Sequence, residues 1–191
     1  MEAQCLTATR CPLTALGREE PFMKNHFAMM AAYNAWCNER LYDAAEQLSD
    51  ADYRADRGAF FRLLHGTLNH ILVADRIWMK RLTGEGDAPN RLDAILFDPL
   101  AGLRAAREAK DERIARFIDR LSQEHLDAPV SYSSLVNPAL ITQPLWSVLV
   151  HVFNHQTHHR GQAHCVLTGL GADAPSFDLV LFQRQSGMGM A

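Results

Sequence analysis

Nine histidines are many for a chain of 191 residues, and five of them, His151, His155, His158, His159 and His164, fall in one short stretch. Imidazole is the commonest protein ligand for metal ions and titrates near neutral pH, so such a cluster carries chemistry if its rings converge. On a helix each residue advances about 100°. In that projection Leu145, Val148, Leu149, Val152, Ala163, Val166 and Leu167 share one apolar arc, which holds His159 and has His155 at its edge, about 40° from His159. His151 lies about 80° and His158 about 100° from His159 in the same sense, and His164 points elsewhere. Two imidazoles at i,i+4 on an inward face let a single helix give two ligands to one ion. The pair His155/His159 satisfies this best, with His151/His155 second.

A catalytic metal centre usually takes three protein ligands and keeps one position open. Another helix must supply the third. In the stretch 59–82, Leu63, Thr67, His70, Ala74 and Ile77 form a ladder at helical spacing, whereas His65 points about 140° away from His70. His70 is therefore the candidate, and His26 and His125 are less well placed. The competing reading is a histidine-rich core in which each neutral ring finds a hydrogen-bond partner. Spacing alone leaves both open. Gln156 follows His155 where His-Glu-x-x-His would need Glu, so a zincin-type protease is not supported.

These side chains need a scaffold. Phe27, Met30, Asn34, Cys37, Leu41, Ala44 and Leu48 recur at three and four, which predicts a first helix over 22–48. A second is predicted over 59–82, ended by Thr83-Gly84-Glu85-Gly86, and a third over 99–124 with Pro99 in its first turn. The third helix's inward ladder includes Arg107 and Lys110, which weakens its first half. Its other charges, with a Glu112/Arg116 pair, read as a solvated face. Weak alternation around Asn137-Pro138 predicts a short hairpin or extended loop, and Pro144 opens a fourth helix reaching Thr168 before Gly169 and Gly171. The apolar piece 177–182 is expected to pack back on the rest. The predicted fold is all-α, an antiparallel four-helix bundle with long connections. Residues 1–21 lack helical periodicity and a secretory h-region, and read as a poorly ordered extension ahead of a domain at 22–191.

Composition excludes several classes. Hydrophobic residues make up 48% and charged residues 21%, an ordinary globular balance that rules out disorder and low complexity. A net charge of -3 offers no cationic field for nucleic acid, and no apolar run is long enough to span a membrane. Four unevenly spaced cysteines, with no Cys-x-x-Cys, suggest free thiols in a reducing cytoplasm. Cys37 and Cys165 read as small buried hydrophobes.

Three segments carry a resemblance: Tyr33-Asn34-Ala35-Trp36-Cys37-Asn38, Gly66-Thr67-Leu68-Asn69-His70-Ile71-Leu72-Val73-Ala74-Asp75-Arg76-Ile77-Trp78, and His151-Val152-Phe153-Asn154-His155-Gln156-Thr157-His158-His159-Arg160-Gly161-Gln162. Together they resemble the DinB-like family over roughly 23–184. That resemblance implies a four-helix bundle, commonly a homodimer, which binds a divalent metal through three histidines, here His70, His155 and His159. It also implies zinc or nickel, and kinship with metal-dependent transferases that use low-molecular-weight thiols.

The leading expectation is thus a metal-dependent transferase that activates a small thiol, or water, at these three residues. Gln162 and Asn34 are candidates for orienting a ligand or bonding a histidine from behind. A metal-dependent hydrolase uses the same ligands, and a non-enzymatic metal-binding stress-response module predicts a filled coordination sphere. The expected partner is a small molecule, with no nucleic acid and no membrane.

Overall fold

The computed structural model describes residues 22–135 and 138–190. The 1–21 extension and Asn137 of the expected turn lie outside the described residues. Four long helices form the body: α1 (Phe22–Glu46), α3 (Leu64–Thr83), α4 (Leu100–Asp119) and α6 (Leu145–Gly169). Short pieces join or cap them: α2 (Asp50–Tyr53), α5 (Gln123–Asp127), the strands β1 (Pro129–Ser133) and β2 (Leu140–Pro144), and α7 (Leu179–Ser186). The all-α bundle is as predicted. Among the described residues no helix is long and apolar enough to cross a membrane.

The helices form a ring in which α1 touches α4 and α6, and α3 touches the same two. Their directions are mixed. Asn34 and Asn38 meet Asp111 while Asp43 meets Arg104, so α1 and α4 are antiparallel. His70 meets His159 while Trp78 meets His151, so α3 and α6 are antiparallel too. By contrast, Asp75 meets Arg107 and Thr83 meets Arg113, and Phe27 meets Phe153 while Asn34 meets Arg160. The pairs α3/α4 and α1/α6 therefore run parallel, which departs from the fully antiparallel expectation. The physical reason is the connection 84–99, which is long enough to run back along the bundle before α4 begins. It starts at Gly84, whose φ of 74° closes α3 in the left-handed region open to glycine.

Two predicted helices change at their ends. Residues 59–63 are not helical: Arg62 has a φ of 65°, and an isolated bridge joins Ala59 to Arg62. The long third helix splits at Arg120, and Ser122 caps α5 by accepting from the His125 backbone N–H while His125 Nδ1 accepts from the Ser122 N–H. The hairpin is present, with Pro129 opposite Pro144 and Ser133 opposite Leu140. The tail folds back as expected: Phe182 of α7 is buried against Tyr33 and Trp36. Cys37 is buried, but Cys165 is exposed, against the expectation of a buried thiol, because it lies outside the apolar arc of α6.

The two charged members of the α4 ladder are buried. Arg107 is 1% exposed and donates to Asp75 at 2.6 Å and to Asp111 at 2.7 and 3.0 Å. Burial opposes its charge, and the Asp111 and Asp75 carboxylates hold the guanidinium protonated. Asn34 and Asn38 donate to Asp111, Gln156 donates to Asp75, and Arg160 donates to Asn34. One polar cluster thereby joins all four long helices. Removing Arg107 strands two buried carboxylates, so Arg107→Met is expected to cost about 3–5 kcal/mol in urea denaturation. Arg104, in a partly exposed cluster with Asp43, Glu46 and Glu108, serves as the control: Arg104→Met should cost about 1 kcal/mol or less.

Candidate metal centre

His70 and His159 are buried, and His155 is half-buried. Their rings meet between α3 and α6: Nε2 of His70 lies 3.3 Å from Nε2 of His155 and 3.2 Å from Nε2 of His159. One ligand atom from each of the three lies within 4.8 Å of the others, and the group could hold a metal ion. His155 and His159 reach it from successive turns of α6, as the i,i+4 spacing requires.

The backs of two rings are fixed. His70 Nδ1 lies 2.8 Å from the Leu92 carbonyl, and His159 Nδ1 lies 2.8 Å from Gln162 Oε1. An oxygen of either kind only accepts, so each Nδ1 carries the proton and each Nε2 turns a lone pair inward. Two acceptor nitrogens at 3.2 Å do not hydrogen-bond to one another. They suit a shared cation: tetrahedral ligands at about 2.0–2.1 Å from zinc stand about 3.3–3.4 Å apart. The donor set therefore fits a divalent ion of imidazole preference.

Electrostatics agrees with neutral rings. Burial pulls the His70 pKa down from 6.5 to about 4, against the opposing bond to Leu92. Burial, then the neighbouring His159 and His70, pulls His155 down to about 3. Burial also lowers His159, with Gln162 opposing. Neutral imidazole is the form that binds metal.

The remaining candidates separate. His151 packs on Trp78 with ring centres 5.2 Å apart and stands 5.9 Å from His155, outside the three-histidine group. His65 lies 3.3 Å from the Phe97 carbonyl. Asn34 sits in the Asp111–Arg160 cluster rather than behind a histidine. Gln162 contacts His159 and, through Nε2, His158 at 3.1 Å.

Sequence reasoning missed two neighbours. Phe61 stacks on His70 with ring centres 3.8 Å apart, and the Leu92 carbonyl comes from the connection 84–99. Phe61 falls at the start of the predicted second helix and Leu92 in the connection after it, and nothing in the pattern marks either as a neighbour of His70. Phe61 comes close because residue 66 is glycine: a Cβ there would sit 2.5 Å from the Phe61 carbonyl oxygen.

A helical bundle with three interior histidines from two helices defines a class, and comparison with known proteins gives it a family. The model of the DinB family matches residues 23–188, and the chain belongs to that family. It is similar to Protein DinB of Bacillus subtilis (strain 168), 27% identical over 168 residues, which cover 81% of this chain and 92% of that protein.

The folded-state pKa values of about 4 and 3 lie below the ordinary 6.5 of imidazole, so the unfolded chain binds more protons between these limits. The metal-free protein should keep its stability above about pH 6.5 and lose it as pH falls towards 4. Urea midpoints measured across that window with chelator present check this; His70→Ala should flatten the dependence.

Proposed function

We propose that this chain is a divalent-metal-dependent transferase that activates a small thiol at His70, His155 and His159. The observation that carries the reading is the convergence of the three Nε2 atoms, 3.3 and 3.2 Å from His70 to its two partners, with two rings held from behind by oxygen acceptors. Zinc or nickel suits three imidazoles with no carboxylate or thiolate. Bound there, such an ion supplies Lewis acidity and lowers the pKa of a thiol or water at its open position.

The chain's own residues do the rest. Leu92 and Gln162 fix the tautomers of His70 and His159 and keep their rings aimed inward. Phe61 covers one face of His70 and keeps water from it. A cavity of about 280 Å³ opens beside His155, room for a small molecule to approach. Among the described residues no fourth histidine, cysteine or carboxylate joins the group. That favours an open position over the filled sphere of a purely structural site. We extend the proposal to a homodimer acting in the cytoplasm on a small-molecule substrate, without nucleic acid.

Elemental analysis of untagged protein, followed by conjugation of a small thiol to 1-chloro-2,4-dinitrobenzene with and without chelator, tests the reading. His70→Ala, His155→Ala and His159→Ala should each abolish stoichiometric metal and conjugation together. Gln162→Leu should weaken metal binding by about 10–100-fold. Full metal content in the three alanine variants would overturn the site. Turnover of esters without thiol would instead assign a hydrolase, and bound metal with neither activity a non-enzymatic module.

A further inference from the structure

The cavity at His155 does not end there. It is bounded by α3, α6 and the hairpin, and it shares Ile77, Arg81, Tyr132, Ser134 and Leu135 with a second cavity of about 400 Å³. Two ring-to-ring steps of 5.9 and 5.2 Å lead from His155 through His151 to Trp78, whose ring centre lies 4.7 Å from the Arg81 guanidinium carbon. The first cavity is itself lined by both His155 and Arg81 and forms a groove between the histidine centre and that guanidinium, with the second cavity adjoining it.

The charge of this groove is one-sided. Among the described residues no aspartate or glutamate lines either part, while Arg81 and Lys80 do, in a chain whose net charge is -3. Arg81 is half-buried beside two aromatic rings, 4.7 Å from the Trp78 ring centre and 5.5 Å from that of Tyr132. The buried guanidinium of Arg107 is neutralised by two carboxylates; Arg81 has no such partner among the described residues. Burial lowers the pKa of Arg81, which is the mark of a cation that has lost water without gaining an anion. With cation–π contacts to these rings and no carboxylate paired to it, the guanidinium keeps its forked N–H donors for a planar acceptor.

We propose that Arg81 is the carboxylate-binding end of the substrate groove, so that the thiol taken at the histidine centre is an extended one bearing a carboxylate several bonds from its sulfur. The inference rests on the thiol reading above and adds the substrate's class. Trp78 and Tyr132 hold the guanidinium in place, and Ile77 and Leu135 give the intervening chain an apolar wall. A carboxylate accepts two parallel N–H bonds from the fork, an arrangement that a hydroxyl of the same reach cannot copy.

Two probes of equal chain length isolate the anion: 6-mercaptohexanoate and 6-mercaptohexanol, titrated calorimetrically into the zinc-loaded protein. The acid should bind about 10-fold tighter or more, the scale of a charge-assisted hydrogen bond. Arg81→Met should bring the two thiols to equal affinity, and Arg81→Lys should leave an intermediate preference, with zinc content and far-ultraviolet circular dichroism confirming that both variants fold. Equal binding of the two probes by the parent protein, or a preference that survives Arg81→Met, would overturn the proposal and leave the thiol reading standing. Hexanoate titrated into metal-free protein, followed by tryptophan fluorescence, separates the reverse case. An Arg81-dependent signal there, with neither thiol binding the zinc form better than hexanoate does, keeps the carboxylate site and discards the thiol chemistry.

Discussion

The buried ion cluster of Asp75, Arg107 and Asp111, extended by Asn34, Asn38, Gln156 and Arg160, is the constraint on which the site depends. Charges taken out of water are tolerated only when each finds its partner, so the cluster admits one arrangement of the four long helices. Gln156 and Arg160 stand one turn apart on α6, each immediately after a member of the pair His155/His159. Because neighbours on a helix are offset by about 100°, committing Gln156 and Arg160 to the cluster sets the direction in which His155 and His159 point. Asp75 does the same for α3 and hence for His70. Apolar side chains alone would permit small rotations that these bonds forbid.

The second constraint is the connection 84–99. It allows α4 to run parallel to α3, which brings Arg107 level with Asp75, and on the way it presents the Leu92 carbonyl to His70. Asn69 anchors the same segment by accepting from the backbone of Leu96 and Phe97. A single excursion thus completes the ion cluster on one side of α3 and fixes a ring nitrogen on another. On the far side of the site, the left-handed turn at Arg62 brings Phe61 over His70, and Gly66 makes the room.

The sequence reading of the helices came close because burial follows the 3.6-residue period, and it failed where something other than burial decided the conformation. Residues 59–63 carry apolar side chains at helical spacing, yet Phe60 is 78% exposed and Phe61 is held by a ring contact. Serine at 122 ended α4 early because capping satisfies backbone groups that a continuous helix would have satisfied another way. Arg107 and Lys110 looked like flaws in an apolar ladder. Arg107 belongs there because its partners arrive from two helices, and burial lowers the Lys110 pKa to about 8 at the margin of the same interface.

Residue type and spacing by themselves determined that the chain is helical and that His70, His155 and His159 are the histidines to watch, because both properties are written in local periodicity along single helices; the likeness to the DinB family was carried by three sequence segments instead. Whether those rings meet, which nitrogen each turns inward, and what lies beside them were decided by tertiary structure alone. Leu92, Phe61, Arg81 and the ion cluster act across elements far apart in the chain, and no local pattern records a contact whose partner is set by how loops return and helices turn.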